Sequence, residues 1–352
     1  MTGLQQIEGP LSEAAVFLVL TIKDDDGAWD RVRTTVAGSD DLLKNVLSRD
    51  LDRSASLTVG IGASAWDRLV RRPAPKELHP FRELRGTART AVSTPGDLIF
   101  HVRASRRDLC YELTRQIMLA LGDDVTVEDD TIGFRYFDGR DLLGFVDGTA
   151  NPIDEQLAPA AVVGEEDPDH AGGSYLVVQK YLHELTRWDG LGTAAQEQVI
   201  GRTKAENIEL PDADHGQKSH KTLNTITVDG VEYDILRDNM PFGSAVEGDS
   251  GTYFIGYSRR LWVTERMLER MFLGDPPGMY DRILDVSRPV TGTTFFVPAS
   301  PYLLAIDDGP SDASSSASGD LSTVIAETAE VAAAASAAPG PDRSIPDVLG
   351  DS

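Results

Sequence analysis

The sequence predicts an α+β fold: two ferredoxin-like domains with antiparallel sheets and peripheral helices, followed by a disordered C-terminal tail. Three observations predict it. The chain has 352 residues, enough for about two domains at roughly 100–200 residues each. Two successive stretches read as strand–helix–strand followed by strand–helix–strand, which suits mostly antiparallel strands bridged by helices. The composition then changes abruptly after residue 305. The resulting division is an N-terminal domain at 8–140, a C-terminal domain at 141–305 and a tail at 306–352.

The first half opens on a strand-like run, Ala14–Lys23 (AAVFLVLTIK). Across Trp29–Leu51 apolar residues recur three and four apart, the spacing of a helix with one buried face. Strands follow at Leu57–Ala63 and Asp97–Ala104, separated by a polar, Pro-rich connection. Arg106–Leu121 (RRDLCYELTRQIMLAL) is again helical in period, and Thr126–Tyr136 reads as a strand or hairpin. The second half repeats the plan. Ser174–His183 is a strand, Glu184 to Ile200 is helical, Thr252–Tyr257 is a strand, Thr264–Leu273 is a helix with Thr264 as its cap, and Thr293–Ala299 is the last strand. The tail is rich in Ser, Ala, Gly and Pro, has no aromatic residue, and carries many acids against one base, Arg343. Such a segment buries too little apolar surface to offset its ordering entropy. A short helix around Leu321–Ala335 and a mildly apolar end, SIPDVLG, are its only features.

Composition excludes several function classes. With 33 basic and 57 acidic residues the net charge is −24, and no Lys/Arg block interrupts it. Nucleic acid and anionic membrane surfaces are therefore not expected partners. Cys110 is the only cysteine, which excludes an intrachain disulfide, a Cys₄ zinc site and a thiolate-held iron–sulfur cluster. No basic region precedes an apolar run at the N-terminus, so a cytoplasmic location is expected. The histidines His79, His101, His170, His183, His215 and His220 show no close metal-ligand spacing. No Gly-rich phosphate loop follows a strand, and no nucleophile elbow is present.

Three segments stand out. Leu143–Pro152 (LGFVDGTANP) reads as a hairpin turn at Asp147–Gly148, or as a catalytic acid aimed into a pocket from an apolar setting; it lacks the alternating acids of a calcium loop. Gly216–Thr225 (GQKSHKTLNT) places His220 just before an apolar stretch, as a surface side chain or a ligand. Ile235–Gly243 (ILRDNMPFG) sets Arg237 and Asn239 two apart, on one side of an extended chain. Alone, Arg237 reads as an ion-pair partner. His101 and Arg103, on the third strand, are left unassigned to any site.

Taken together, GFVDGTANP, the Ser219–His220 pair and ILRDNMPFG resemble the dye-decolorizing peroxidase family. TERMLERMFLGDPPGMYDRILDVSRPVTGTTFFVPA and the N-terminal GPLSEAAVFLVLTIK extend the resemblance to about residues 8–303. The absence of long insertions is similar to the bacterial B-type subgroup. The resemblance implies two ferredoxin-like domains holding haem b. It implies a peroxidase that reduces hydrogen peroxide and oxidises phenolic or dye-like donors one electron at a time. His220 maps to the axial iron ligand, with Asp285 as the acid that receives its other ring N–H. Asp147, Arg237 and Asn239 map to the peroxide side, where Arg237 supplies a permanent charge. Where many relatives carry Glu, this chain has Ala150, which weakens any expectation of a manganese-oxidising site. His215 is a rival ligand that lacks the preceding Ser. Bulky donors cannot reach a buried haem, and Trp188 and Tyr253 are candidates to relay electrons from the surface. Expected partners are hydrogen peroxide, small aromatic electron donors, further copies of the chain and, through the tail, an encapsulin shell. Two alternatives on the same scaffold are haem handling with removal of iron, and a non-enzymatic haem carrier.

Overall fold

A computed structural model describes residues 3–308, apart from 9–11, 51, 53, 214, 215 and 247. Ten strands make one sheet system. They are β1 (Ala14–Ile22), β2 (Ser56–Gly62), β3 (Leu98–Ala104), β4 (Val125–Phe134), β5 (Ser174–His183), β6 (Leu236–Arg237), β7 (Met240–Gly243), β8 (Ser250–Ser258), β9 (Ser287–Pro289) and β10 (Thr293–Val297). In the first half the spatial order is β4-β1-β3-β2, and in the second β10-β5-β8-β7, all antiparallel. This is the ferredoxin-like order in both halves.

The sequence reading expects an antiparallel sheet in each half, and the structure has them. In the structure their edges meet. β4 pairs with β7, and β2 pairs with β10, so eight strands close into a barrel. Each half alone would present two edges of unpaired backbone groups, and mutual pairing covers part of each, at Phe242–Gly133 on one seam and at Phe295–Gly62 and Phe296–Ile61 on the other. β6 and β9 are short additions on β8 and β5.

Closure explains the strand composition. β1 and β3 are buried along nearly their whole length, because one face points into the barrel and the other lies under helices; such strands read as continuous apolar runs. Phe17, Val19, Ile99, Leu176, Val178, Phe242, Tyr253, Ile255 and Phe295 fill the barrel. Leu18, Leu20, Val59, Phe100 and Phe296 face the helical layer. β4 alternates, with Glu128, Asp130, Ile132 and Phe134 exposed.

The long helical stretch after β1 is two helices, α1 (Asp26–Ala37) and α2 (Ser39–Leu47), parted at Gly38. α3 (Arg107–Leu121) buries Leu109, Leu113, Ile117 and Leu121 on one stripe. In the second half, α4 (His220–Asn224) is one short turn, and α5 (Leu261–Leu273) crosses the outside of the sheet. α5 starts three residues before the expected Thr264 cap. Thr264 is instead fully buried inside the helix, and Arg260 occupies the cap position. No helix among the described residues is long and apolar enough to cross a membrane.

Candidate active site

His220 opens α4, directly after Ser219, whose hydroxyl caps the helix by accepting the Thr222 N–H. The imidazole Nδ1 lies 2.6 Å from Asp281 Oδ2. Asp281 has no exposed surface. Its backbone N–H donates to the Met271 carbonyl of α5, and its Oδ1 accepts the Ile283 N–H at 3.0 Å. The carboxylate is thus anchored on one oxygen and offers the other to the ring. Burial pushes the His220 pKa down, but the charge and hydrogen bond of Asp281 outweigh it, and the net direction is upward. With Nδ1–H given to a carboxylate, the lone pair sits on Nε2, toward the cavity.

The expected partner acid was Asp285, and the geometry corrects it. Asp281 precedes a 3₁₀ turn, Arg282–Asp285. Four residues on, at three residues per turn, a side chain points a third of a turn away. Asp285 accordingly accepts from the Tyr280 hydroxyl at 2.9 Å and from Arg282 Nε at 2.6 Å.

Arg237 and Asn239 stand where the β6–β7 segment runs against β8. The register is the same on both sides of the break, Leu236 opposite Tyr257 and Met240 opposite Tyr253. Between them, the Ile255 N–H donates to Asn239 Oδ1 at 3.1 Å rather than to a backbone carbonyl. A backbone N–H can only donate, so this bond assigns the amide orientation and turns Asn239 Nδ2 toward Asp147 Oδ1, at 3.3 Å. Asp147 Oδ1 also accepts the Gly148 N–H at 2.7 Å. Gly148 has φ 72°, a left-handed conformation natural to glycine. Asn151, from the same loop, holds the Arg237 main chain on both its N–H and its carbonyl.

These side chains line one cavity with about 1230 Å³ of atom-free space including its mouth. Asp147, Arg237, Asn239 and His220 all reach it, from three separate segments. Its apolar wall includes Phe145, Ile235, Phe254, Met267 and Leu268. His183 also lines it, yet both its ring nitrogens are engaged, by Thr252 and Ser287 hydroxyls, and burial lowers its pKa to about 4. Asp141 lies on the same wall. Burial raises its carboxyl to about 7, against the downward pull of the Phe145 N–H, and the Asp147 charge adds to the rise.

Haem fits this donor set. Arg237 Nε, Gln179 Nε2 and Thr264 Oγ1 are buried along the wall without hydrogen-bond partners, each a cost of about 1–3 kcal/mol that an occupant can relieve. Among the described residues no three His, Cys, Asp or Glu side chains gather to hold a bare ion. A single imidazole suits iron whose other ligands come from a macrocycle. Arg202 and Lys221 also reach the cavity, as matches for the carboxylates that haem carries.

Sequence reasoning missed Asp281, Asn151 and Asp141. A signal existed for Asp281, an Asp directly ahead of a short turn, the capping pattern. Trp188 and Tyr253 are 1% and 0% exposed. Trp188 packs against Phe145, and Tyr253 stacks on Phe17 inside the barrel, so neither is a surface contact point for a donor. His215 lies outside the described residues.

The Dyp-type peroxidase N-terminal family matches residues 5–135 and its C-terminal counterpart matches 138–301. A dye-decolorizing peroxidase of Mycobacterium tuberculosis is 50% identical over 300 residues, 85% of this chain and 89% of that one. The crystal structure of DyPB from Rhodococcus jostii RHA1 is 55% identical with a TM-score of 0.84, covering 86% of this chain and 97% of that one. Variants of that protein were solved in complex with heme. The encapsulated DyP-type peroxidase from Mycobacterium smegmatis, solved by cryo-EM, is 48% identical, also at a TM-score of 0.84, and covers 88% of this chain and 99% of that one. A fold, a haem-compatible cavity and identity over most of both chains agree: the chain belongs to the Dyp-type peroxidases, as a haem-dependent enzyme of the B-type subgroup.

Proposed function

We propose that His220 is the axial ligand of haem b in this peroxidase, and that Arg237, Asp147 and Asn239 handle hydrogen peroxide. The observation that supports this most is the shared cavity. One imidazole, its Nδ1 locked to Asp281 at 2.6 Å, shares a wall with Arg237, Asp147 and Asn239. Haem, when bound, supplies the iron at which peroxide is reduced and from which donors are oxidised. The protein's contribution is to orient and to move protons. Asp281 holds the imidazole in the tautomer that presents Nε2. Arg237 Nε, buried and unpartnered, offers a fixed positive charge to the oxygen that turns negative as the O–O bond breaks, worth about 2.7–4 kcal/mol at comparable oxyanion sites. Asp147 takes a proton from the near oxygen of peroxide and returns it to the far one. Asn239 orients Asp147 through Nδ2.

The electron donors on this reading are small phenolic or dye-like aromatics. The tail from 309 on lies outside the described residues; its Ser-, Ala-, Gly- and Pro-rich composition and mildly apolar SIPDVLG segment support tethering inside an encapsulin shell, and the Mycobacterium smegmatis relative is an encapsulated peroxidase. A chain truncated after Ala305 should then no longer co-purify with a shell protein.

The decisive experiment is the absorption spectrum of purified protein before and after one equivalent of hydrogen peroxide, for wild type and His220→Ala. A Soret band that shifts on peroxide addition in wild type, with haem lost or its spectrum altered in the variant, supports the assignment. An unaltered haem spectrum in His220→Ala overturns it. Iron release with intact porphyrin favours haem handling, and retained haem without turnover favours a carrier.

A further inference from the structure

The barrel interior is mostly apolar, and at one point in it an arginine and an aspartate are buried together. Asp238 sits between Arg237 and Asn239. Strand alternation sends its side chain to the opposite face, into the barrel, where its neighbours Met240 and Phe242 also point. There Asp238 Oδ2 meets Arg103 Nη1 at 2.7 Å, with side-chain exposures of 13% and 4%. Arg103 comes from β3, in the other half of the chain, and its Nη2 donates to the Gln6 carbonyl of the N-terminal segment.

A buried ion pair contributes little net stability relative to a well-packed apolar pair, because desolvating both charges offsets their attraction. What it supplies is a fixed geometry. Here that geometry falls at the one place where the β6–β7 ladder departs from regular pairing. Asp238 N–H still donates to the Ile255 carbonyl at 3.1 Å, while the Ile255 N–H is taken by the Asn239 side chain. The peptide joining 238 to 239 is therefore turned out of the ladder, and the side chains on either side of Asp238, Arg237 and Asn239, reach the cavity. Rotation of this segment would move Arg237 and Asn239 together.

We propose that Arg103 is a positioning residue for the peroxide side of the site, acting through its ion pair with Asp238 to hold Arg237 and Asn239 on the cavity wall. Half of the chain that supplies none of the cavity lining thereby sets the geometry of the other half's chemistry. The inference rests on the assignment of Arg237 made above.

The test uses haem-loaded protein and two readouts, azide affinity from the spectral shift of the ferric haem and kcat/KM for hydrogen peroxide. The variants are Asp238→Asn, Arg103→Lys and the apolar pair Arg103→Met with Asp238→Leu. The apolar pair separates folding from positioning. We expect it to keep the thermal midpoint and haem content of wild type, yet to lose about 10- to 100-fold in kcat/KM and to weaken azide in parallel, the range for outer supports and for small misplacements. Arg103→Lys should recover part of both. Wild-type azide affinity and kcat/KM in the apolar pair overturn the proposal. So does failure of all three variants to take up haem, which would assign the pair to folding alone. Arg237→Ala is the reference. Unchanged azide affinity there overturns the assignment of Arg237 and the positioning role with it. A loss there, beside wild-type behaviour in the Arg103 variants, overturns only the positioning role.

Discussion

The side-chain amide of Asn151 bonds both ways to the main chain of Arg237: Oδ1 accepts the Arg237 N–H at 3.0 Å, and Nδ2 donates to the Arg237 carbonyl at 2.5 Å. Among the described residues β6 pairs only with β8, so this amide does the work of a neighbouring strand on its open side. The loop that carries Asp147 and the strand that carries Arg237 are joined by it.

Asn151→Ala leaves a part-buried N–H and carbonyl of Arg237 without these partners. Stability should fall by about 1–3 kcal/mol, read as a lower thermal midpoint, and kcat/KM for hydrogen peroxide should fall about tenfold as Arg237 loosens. Wild-type kinetics in a folded, haem-loaded variant would separate Asn151 from the chemistry.

Asp281 and Asp285 should behave oppositely. Asp281→Ala leaves the half-buried His220 ring without its carboxylate and should cost about 1–3 kcal/mol. Asp281→Asn keeps the shape, removes the charge, and should raise the ferric/ferrous potential of bound haem, because a less polarised imidazole donates less to iron. Asp285→Asn should leave that potential unmoved and stability within about 0.5 kcal/mol, since its partners Tyr280 and Arg282 lie away from the ring. Spectroelectrochemistry of the three proteins decides it.

Arg237→Ala should lower the rate of reaction with peroxide by about 100- to 1,000-fold, the loss of one charge-stabilising donor. Asp147→Ala should cost less, because a proton can also travel through water. Stopped-flow mixing with hydrogen peroxide measures both, and a larger loss in Asp147→Ala would invert the two roles.

Asp141 predicts a pH dependence with a definite sign. Its carboxyl ionises near 7 in the fold and near 3.8 outside it, so between those values the native state holds the extra proton. Stability is fully present below about pH 4 and declines as pH rises through 7, by at most on the order of 4 kcal/mol. Asp141→Asn keeps the acceptor for the Phe145 N–H and removes the titration. Its thermal midpoint relative to wild type should therefore rise from pH 4 to pH 7. A constant difference would place the Asp141 carboxyl near its ordinary range.

The strands and helices were legible because they depend on local pattern. Ala14–Ile22 and Leu98–Ala104 are apolar runs that need no partner to be recognised as strands. The split of the first helical stretch at Gly38 was less visible, since the apolar spacing continues through it. The start of α5 was misread because Thr264, a good capping residue, is also small enough to bury inside the helix against the cavity.

The sequence by itself determined the order of elements in each half, which follows from periodicity. The candidates Asp147, His220, Arg237 and Asn239 came from the resemblance of their motifs to the dye-decolorizing peroxidases. Only the tertiary structure decided that the two sheets close into one barrel, that Asp281 rather than Asp285 meets His220, and that Arg103 reaches across the barrel to Asp238. Each of these is a choice among chemically equivalent partners far apart in the chain. Edge pairing, a third of a turn of 3₁₀ helix and strand alternation make that choice, and each acts only once the backbone is in place.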